Sequence, residues 1–321
     1  MNLNYPLRRK ERRWRQVNNF AMFSLARKLT ERFPVLFGCG IFLIAMFLSV
    51  CTSVFVKKSM VQYKLPSWEV IFIRETVICL ILLPFMIKWK FNFFNKEFLK
   101  PNLLRNILYA ISTYLLYTLL TKMSVNDITS FQFFVPIVAS IFAMLFLREH
   151  GSKIIWLSLL ICVCGGFVMK RPDFNDVSSI YVYILLAVFI LMRSFITILN
   201  KKLAMSFSTS TIVFYTHTIM LLSSACFFWQ FIQPQPMAIL ILSVAGVMYC
   251  VEYILIYTAY KFCSVLVIQP CEFSKFVYSV ILSSFILGET TTLNQIIGAI
   301  IITIGFCIGI FDNKLFGVKK S

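Results

Sequence analysis

Ten apolar segments, each roughly 20 residues long, most constrain how this chain folds. A segment of this length is typical of a transmembrane helix, because a helix satisfies its own backbone hydrogen bonds where water is absent. We therefore predict an all-α, polytopic membrane protein of ten transmembrane helices, with no room for a soluble catalytic or nucleotide-binding domain. The segments lie at 35–56, 68–87, 103–121, 128–147, 153–170, 179–199, 210–232, 237–260, 264–287 and 292–311.

Composition and charge favour a membrane protein over a soluble one. Hydrophobic residues make up 59% of the chain and charged residues 14%, whereas charged residues are about a quarter of a soluble domain. The net charge of +18 would suggest nucleic acid in a soluble protein, but here the charges lie between apolar segments. With Arg105 counted in the loop before the third segment, the intervals on the N-terminal side hold 22 Lys and Arg, and those on the other side hold 6. The positive-inside rule then predicts that both termini are cytoplasmic.

Residues 1–34 form a basic cytoplasmic segment, and residues 313–321 form a cytoplasmic tail. The N-terminal segment lacks the apolar core and the cleavage site of a signal peptide. We expect it to rest on the anionic headgroups of the bilayer. A mitochondrial presequence is the alternative, although few serines and the acidic Glu11 and Glu31 count against it.

The two halves of the chain resemble each other. A shift of 140 positions, drifting to 142 upstream, aligns residues 35–170 with residues 179–312 as two five-helix repeats. Because five is odd, the second repeat enters the membrane in the opposite sense. Inverted repeats are typical of secondary transporters, which bind substrate near the midplane between the halves. Matching pairs include Phe72 and Phe214, Thr76 and Thr218, Tyr109 and Tyr249, Tyr117 and Tyr257, Glu149 and Glu289, and Gly165 and Gly305.

Ionisable residues inside the segments need a reason to be there, since a charge at the bilayer centre costs about 2.5 to 3.5 kcal/mol. Arg74 and Arg193 lie near segment ends, so their stems can reach the interface. Glu272 and Lys275 are three residues apart and can neutralise each other. Glu252 has no such partner on its own helix. The candidates for a proton or charge relay are Glu75, His217, Arg74 and Arg193.

Glu252 either lines the path of substrate or protons, or forms a structural bridge, for instance to Arg193. A stripe of tyrosines on the same segment either packs helices or forms an amphipathic wall for an organic solute. Pro270 is expected to kink the ninth segment, and Pro136 to act similarly in the fourth, although its counterpart is Phe276. The candidates for the substrate pathway are Glu252, Glu272, Lys275, Tyr109, Tyr117, Tyr249, Tyr253, Tyr257, Gln132 and Gln269.

Several kinds of chemistry lack their sequence signatures. The chain has no phosphate-binding G-x-x-x-x-G-K-[ST] loop, no H-E-x-x-H helix and no G-x-S-x-G elbow. All ten cysteines fall inside apolar segments, where they act as small apolar residues. We therefore expect neither an enzyme nor a metal or cofactor, and predict a secondary carrier rather than a membrane enzyme or scaffold.

The chain resembles the EamA-type members of the drug/metabolite transporter superfamily. The resemblance rests on Leu147-Arg148-Glu149 and Leu287-Gly288-Glu289, on the late glycines Gly165 and Gly305, and on Arg74 early in the second segment. It implies a multi-pass carrier of a small molecule in a bacterial inner membrane. Two departures are Arg148, where glycine is usual, and Phe276, where proline is expected.

Within this superfamily, the chain is similar to the S-adenosylmethionine uptake carriers of obligate intracellular bacteria. The features are Asn200-Lys201-Lys202, the run Glu272-Phe273-Ser274-Lys275, and a composition rich in Lys, Ile, Phe and Asn. The resemblance implies S-adenosylmethionine uptake, with exchange for S-adenosylhomocysteine as one mode. An amino-acid or metabolite exporter is the alternative. For a carrier, we expect transport to be lost on Glu252→Gln or Glu272→Gln.

Overall fold

The computed structural model describes residues 33–88, 96–122, 128, 131–169, 180–226, 234–287 and 292–310. The predicted tail and nearly all of the predicted basic segment lie outside these ranges, as does Glu289. Within them, every regular element is a helix, and each predicted segment contains one, which confirms the all-α class. The helices are α1 (Pro34–Gln62), α2 (Ser67–Lys88), α3 (Lys96–Lys122), α4 (Phe134–Phe142, continued by a π-helical turn, Ala143–Leu147), α5 (Lys153–Met169), α6 (Ile180–Ser206), α7 (Thr209–Ala225), α8 (Pro236–Phe262), α9a (Val265–Glu272), α9b (Ser274–Leu287) and α10 (Leu293–Ile310).

Several helices are long and apolar enough to cross a bilayer. Among the described residues these are Pro34–Gln62, Tyr181–Ser206, Pro236–Phe262 and Val265–Leu282, and there are shorter apolar helices at 134–147, 153–168 and 293–309. Large apolar side chains point outward from the bundle, such as Leu145 and Ile300, which are 67% and 56% exposed. An apolar exterior of this kind suits lipid rather than water, and the chain is a multi-pass membrane protein.

The packing of the helices follows the internal repeat. The most extensive contacts join α5 to α10, α1 to α8, α3 to α6, and α2 to α7. Exchanging each helix with the one five places away turns the α1–α8 pair into the α6–α3 pair and leaves α2–α7 and α5–α10 unchanged. The halves therefore pack with an approximate two-fold relationship, and its axis passes between α2 and α7 and between α5 and α10.

The fourth and ninth helices are each interrupted by a turn, and the two turns lie at equivalent positions of the repeat. The turn between α9a and α9b is at Phe273, and α4 is preceded by a turn at Phe133, which lies 140 positions earlier. Pro270 has no N–H to donate, and three residues later the Phe273 N–H bonds to the Pro270 carbonyl instead of continuing the helix. Pro136 lies in the first turn of α4, where its missing N–H costs little. The backbone break is thus symmetric although the prolines are not.

Arg148 ends the π-helical turn with φ 54° and ψ 33°, in the left-handed region. Glycine adopts this conformation without the steric penalty of a Cβ atom. The departure from glycine noted in the sequence therefore lies where the backbone itself favours glycine.

Glycines allow α5 and α10 to approach closely. A Cβ atom added at Gly165 would lie 3.0 Å from both the Gly298 carbonyl oxygen and the Ile302 backbone nitrogen. Gly305, the equivalent of Gly165, faces Cys162 in the same way, and the Ser158 hydroxyl donates to the Gly305 carbonyl at 2.7 Å. This contact therefore depends on residues without side chains.

We expect Gly165→Ala to lower the thermal stability of the purified protein in detergent. The added methyl meets backbone atoms that cannot rotate away, and overpacking of this kind costs about 1 to 3 kcal/mol. Gly40→Ala in α1 is the matched control, because no atom lies within 4 Å of its Cβ position. Equal melting temperatures for the two variants would contradict the proposed close approach.

Candidate functional site

An internal cavity of about 70 Å³ lies between α1, α2, α3, α6 and α8. This volume holds a few water molecules and is smaller than an organic metabolite. Both halves contribute to its wall. Seven of the predicted site residues line the cavity, and they are Arg74, Arg193, Glu252, Tyr109, Tyr117, Tyr249 and Tyr253.

One end of the cavity is closed by a buried chain of charged groups. The Arg74 guanidinium binds the Glu75 carboxylate through two nitrogens at 2.6 and 3.2 Å, and the other oxygen of Glu75 lies 2.6 Å from Nδ1 of His217. Arg74 also donates to the Tyr117 hydroxyl at 2.7 Å and stacks 4.0 Å from the Tyr249 ring centre. Arg74 is only 2% exposed, so the expectation that it extends to the interface is wrong.

Glu75 and His217 connect the two halves. They are 142 positions apart, the shift that also aligns Phe72 with Phe214, so each occupies the other's position in the repeat. A contact between equivalent residues lies on the two-fold axis, which places this ion pair at the centre of the α2–α7 contact. His217 Nε2 has no hydrogen-bond partner among the described residues.

We expect Glu75→Ala to lower thermal stability strongly. It leaves the Arg74 guanidinium buried without a carboxylate, and breaking a buried ion pair costs about 3 to 5 kcal/mol. His217→Gln should cost less, because the Arg74–Glu75 pair survives. Glu272→Ala is the control, since its ion pair with Lys275 is less buried than that of Glu75 and its loss is expected to cost less. Melting temperatures of the purified variants measure this order, and equal losses for Glu75→Ala and Glu272→Ala would refute it.

A second buried arginine, Arg105, lies one helical turn beyond Tyr109 on the other side of the cavity. The sequence-based interpretation counts it with the preceding loop, but it lies inside α3 and is fully buried. Its guanidinium donates to Asn200, Asn106 and Thr216, each at 2.7 Å. Its position four residues before Tyr109, on the stripe that continues to Tyr117, was the signal that could have identified it.

The two arginines contact equivalent tyrosines. Arg74 stacks on Tyr249, and Arg105 stacks 4.7 Å from the centre of the Tyr109 ring, which is the counterpart of Tyr249. The Tyr257 hydroxyl, equivalent to that of Tyr117, donates to the same Asn200 oxygen that Arg105 binds. Tyr109, Tyr117 and Tyr249 thus contact an arginine cluster and also line the cavity. Tyr257 itself is outside the cavity wall.

Glu252 and Arg193 face the cavity between these ends. Glu252 is 4% exposed, and one of its carboxylate oxygens has no hydrogen-bond partner among the described residues. The Arg193 guanidinium lies 5.7 Å from the Tyr109 ring centre. Ion pairs in the described part of the chain join Arg74 to Glu75, His217 to Glu75 and Lys275 to Glu272, but none joins Arg193 to Glu252. The expected bridge between them is not formed.

The remaining predicted residues lie away from the cavity wall. Lys275 and Glu272 pair with each other at 3.0 Å across the break in α9, as the spacing suggested. Gln269 is fully buried, and neither of its amide atoms has a partner in the described ranges. Gln132 is half-buried just before the α4 break. None of these four lines the cavity, although Lys275 lies close enough to Glu252 to attract its carboxylate more strongly than Arg193 does.

A clasp of two charged residues holds the connection between α8 and α9a. The Glu149 carboxylate accepts hydrogen bonds from the backbone N–H groups of Val265 and Leu266, both at 3.2 Å, and so caps the N-terminus of α9a. Lys201 donates to the Tyr260 and Cys263 carbonyls at 2.5 and 2.6 Å, at the end of α8. In the sequence, Glu149 marked the repeat and the family resemblance and Lys201 belonged to the Asn200-Lys201-Lys202 motif, but neither was predicted to bind helix ends.

We expect Lys201→Met and Glu149→Ala each to raise the rate at which N-ethylmaleimide alkylates Cys263 in membranes. Cys263 is buried at this connection, and loss of a helix-end contact of about 1.4 kcal/mol corresponds to about a tenfold change in local opening. Peptide mass spectrometry distinguishes this thiol from the other nine cysteines. Lys202→Met, at an exposed position on the same helix, is the control, and labelling equal to that control would exclude the clasp.

Among the described residues, no group of three His, Cys, Asp or Glu side chains could hold a metal ion. The cavity wall instead carries amphipathic aromatic rings, the Glu252 carboxylate and the guanidinium groups of Arg74 and Arg193. Such a set is suited to binding an organic solute rather than to a covalent reaction.

The chain is similar to known transporters in sequence and to one solved structure in fold. Residues 36–171 and 178–311 each match the sequence model of the EamA-like transporter family. An S-adenosylmethionine uptake transporter of Rickettsia conorii is 26% identical over 268 residues, covering 83% of this chain and 89% of that protein. The corresponding transporter of Rickettsia bellii is 25% identical over 293 residues, covering 88% and 96%. One solved crystal structure matches with a TM-score of 0.73 at 13% identity, over 85% of this chain and 98% of that one, which shows a shared fold.

Proposed function

Because the two family matches span most of its length, the chain belongs to the EamA-like transporter family and is a transporter rather than an enzyme, and we propose that it carries S-adenosylmethionine across a bacterial inner membrane by alternating access. Uptake in exchange for S-adenosylhomocysteine is the proposed mode. The relatives of Rickettsia are named as S-adenosylmethionine uptake transporters, and this supports the substrate.

The observation that carries the proposal is a polar cavity between the two repeats, with a buried arginine cluster on each side of it. Along α8, the groups occur in order. At its C-terminal end, Cys263 and Tyr260 accept hydrogen bonds from Lys201, and one turn earlier Tyr257 shares Asn200 with Arg105. Tyr253 and Glu252 then line the cavity, and Tyr249 stacks on Arg74. From Tyr249 to Tyr260 is about 16 Å along a helix. A cavity in the middle, with a separate closure on each side, is the arrangement that alternating access requires.

The membrane orientation completes the proposal. We propose ten spanning helices with an odd number in each repeat, hence an inverted topology, and the excess of Lys and Arg on the side of the N-terminus supports cytoplasmic termini. The Lys201–Glu149 clasp then lies at the cytoplasmic end, since Cys263 donates to the Val35 carbonyl at the start of α1. The Arg74 closure faces the outside.

The deciding experiment measures uptake of labelled S-adenosylmethionine into cells expressing the protein, with and without preloaded S-adenosylhomocysteine. We expect saturable uptake that the preload stimulates, and loss of at least about tenfold in Glu252→Gln, because that variant removes a charge from the cavity. Glu272→Gln is the matched control. Its carboxylate is paired with Lys275 outside the cavity wall, so we expect the smaller effect there, unlike the expectation from sequence. Absence of uptake, with the protein shown to be in the membrane, would reject this substrate.

A further inference from the structure

The cavity holds one acid and one base that do not neutralise each other. Of the charged side chains that line it, Arg74 is neutralised by Glu75, and Arg193 and Glu252 remain. Arg105 is outside the cavity wall and directs its hydrogen bonds to Asn200, Asn106 and Thr216. Arg193 and Glu252 are therefore the cavity charges for which the described residues offer no ion pair.

Two unpaired charges of opposite sign are costly in a site that lies within a membrane. A buried charge without a partner carries a desolvation penalty that only a counter-charge or hydrogen bonds offset. Direct pairing would remove that penalty, yet the two side chains face the same cavity without pairing. A ligand that carries both signs of charge would satisfy them together, and a ligand with one charge would leave the other group unpaired.

Resting on the proposed function, we infer that the substrate binds as a zwitterion, with its carboxylate on Arg193 and its cationic centre on Glu252. The guanidinium matches a carboxylate in shape and can bind it through two parallel hydrogen bonds. The unpartnered oxygen of Glu252 accepts the cation. The Ser49 hydroxyl also lies beside this carboxylate, and the Lys275 ammonium attracts it from outside the cavity wall.

The tyrosines between these two groups provide the apolar part of the site. Tyr109 and Tyr253 contact each other edge to face, with ring centres 5.7 Å apart, and the Tyr109 hydroxyl has no partner among the described residues. A planar ring on the ligand can stack against such faces, and a hydroxyl can bind its heteroatoms. The site would therefore recognise the charged amino-acid groups of a ligand by ion pairing and its planar ring by stacking.

The test pairs a change in the ligand with a change in the protein. Uptake of labelled S-adenosylmethionine is inhibited by unlabelled S-adenosylmethionine or by its decarboxylated analogue, in the wild type and in Arg193→Gln. In the wild type, we expect the analogue to inhibit at least about tenfold more weakly, because one charge-assisted contact is lost. In Arg193→Gln, the two compounds should inhibit equally, and Arg193→Lys should restore part of the difference.

The same comparison applied to Glu252 identifies the cationic centre, with inhibition measured against binding of labelled S-adenosylmethionine to the purified protein, because Glu252→Gln is expected to lose uptake. S-adenosylhomocysteine keeps the ammonium group and lacks the sulfonium charge, whereas methylthioadenosine lacks both charges. Glu252→Gln should weaken inhibition by S-adenosylmethionine and leave methylthioadenosine unchanged. If Glu252→Gln also weakens inhibition by S-adenosylhomocysteine, Glu252 binds the ammonium group. If inhibition by S-adenosylhomocysteine is unchanged, Glu252 binds the sulfonium. Either result supports the inference.

Lys202→Gln is the matched control for Arg193→Gln, since it removes a positive charge from an exposed position on α6. Preserved discrimination against the decarboxylated analogue in Arg193→Gln would overturn the inference, as would equal weakening of methylthioadenosine in Glu252→Gln. Lack of S-adenosylmethionine uptake by the wild type would instead overturn the proposed function. The two failures are therefore distinguishable.

Discussion

Within a bilayer, a buried charge is costly unless hydrogen bonds or an opposite charge offset its desolvation, and this constraint organises the centre of the bundle. Arg74 meets it through Glu75, and Glu75 through His217 on the other repeat. The chain of three groups ties α2 to α7 where the two-fold axis passes between them. Since removing Glu75 leaves the Arg74 guanidinium buried without a counter-charge, the contact between the halves depends most on that carboxylate. Arg105 meets the same constraint differently, with neutral amide and hydroxyl oxygens and aromatic faces.

The Arg74 cluster and the Arg105 cluster on the two sides of the cavity are held together by different interactions. The Arg74 end is an ion-pair network, whose partners attract one another strongly when water is excluded. The Arg105 end consists of hydrogen bonds from one cation to neutral groups, and it is backed by a clasp in which Glu149 and Lys201 bind the backbone at the ends of two helices. The equivalent tyrosines of the two repeats serve both ends, so symmetric helices carry asymmetric closures. A carrier that binds on one side and releases on the other can use this difference to set the relative stability of its two open states.

Much of the architecture follows from local sequence pattern. The length of the apolar segments predicted the helices, because helix formation depends on residues close together in the chain. The shift of 140 positions predicted which helices are equivalent, because matching residues can be found by aligning the chain with itself. Pro270 correctly indicated the break in α9. The tyrosine stripe was recognised by its four-residue spacing, and Tyr109, Tyr117, Tyr249 and Tyr253 all line the cavity. The pairing of Glu272 with Lys275 was also accessible, since three residues separate them on one helix.

The sequence by itself determined that this chain spans a membrane, that it consists of two related halves, and which polar residues its helices carry. Only the tertiary structure decided which of those residues meet. Arg74 does not extend to the interface, Arg105 is buried rather than in a loop, Glu75 pairs with His217 across the repeat, and Arg193 does not bridge to Glu252. Partners on different helices depend on the rotation of each helix about its axis and on the register between helices. Neither the rotation nor the register can be predicted from residue spacing within one segment, because both are set by the packing of all the helices together.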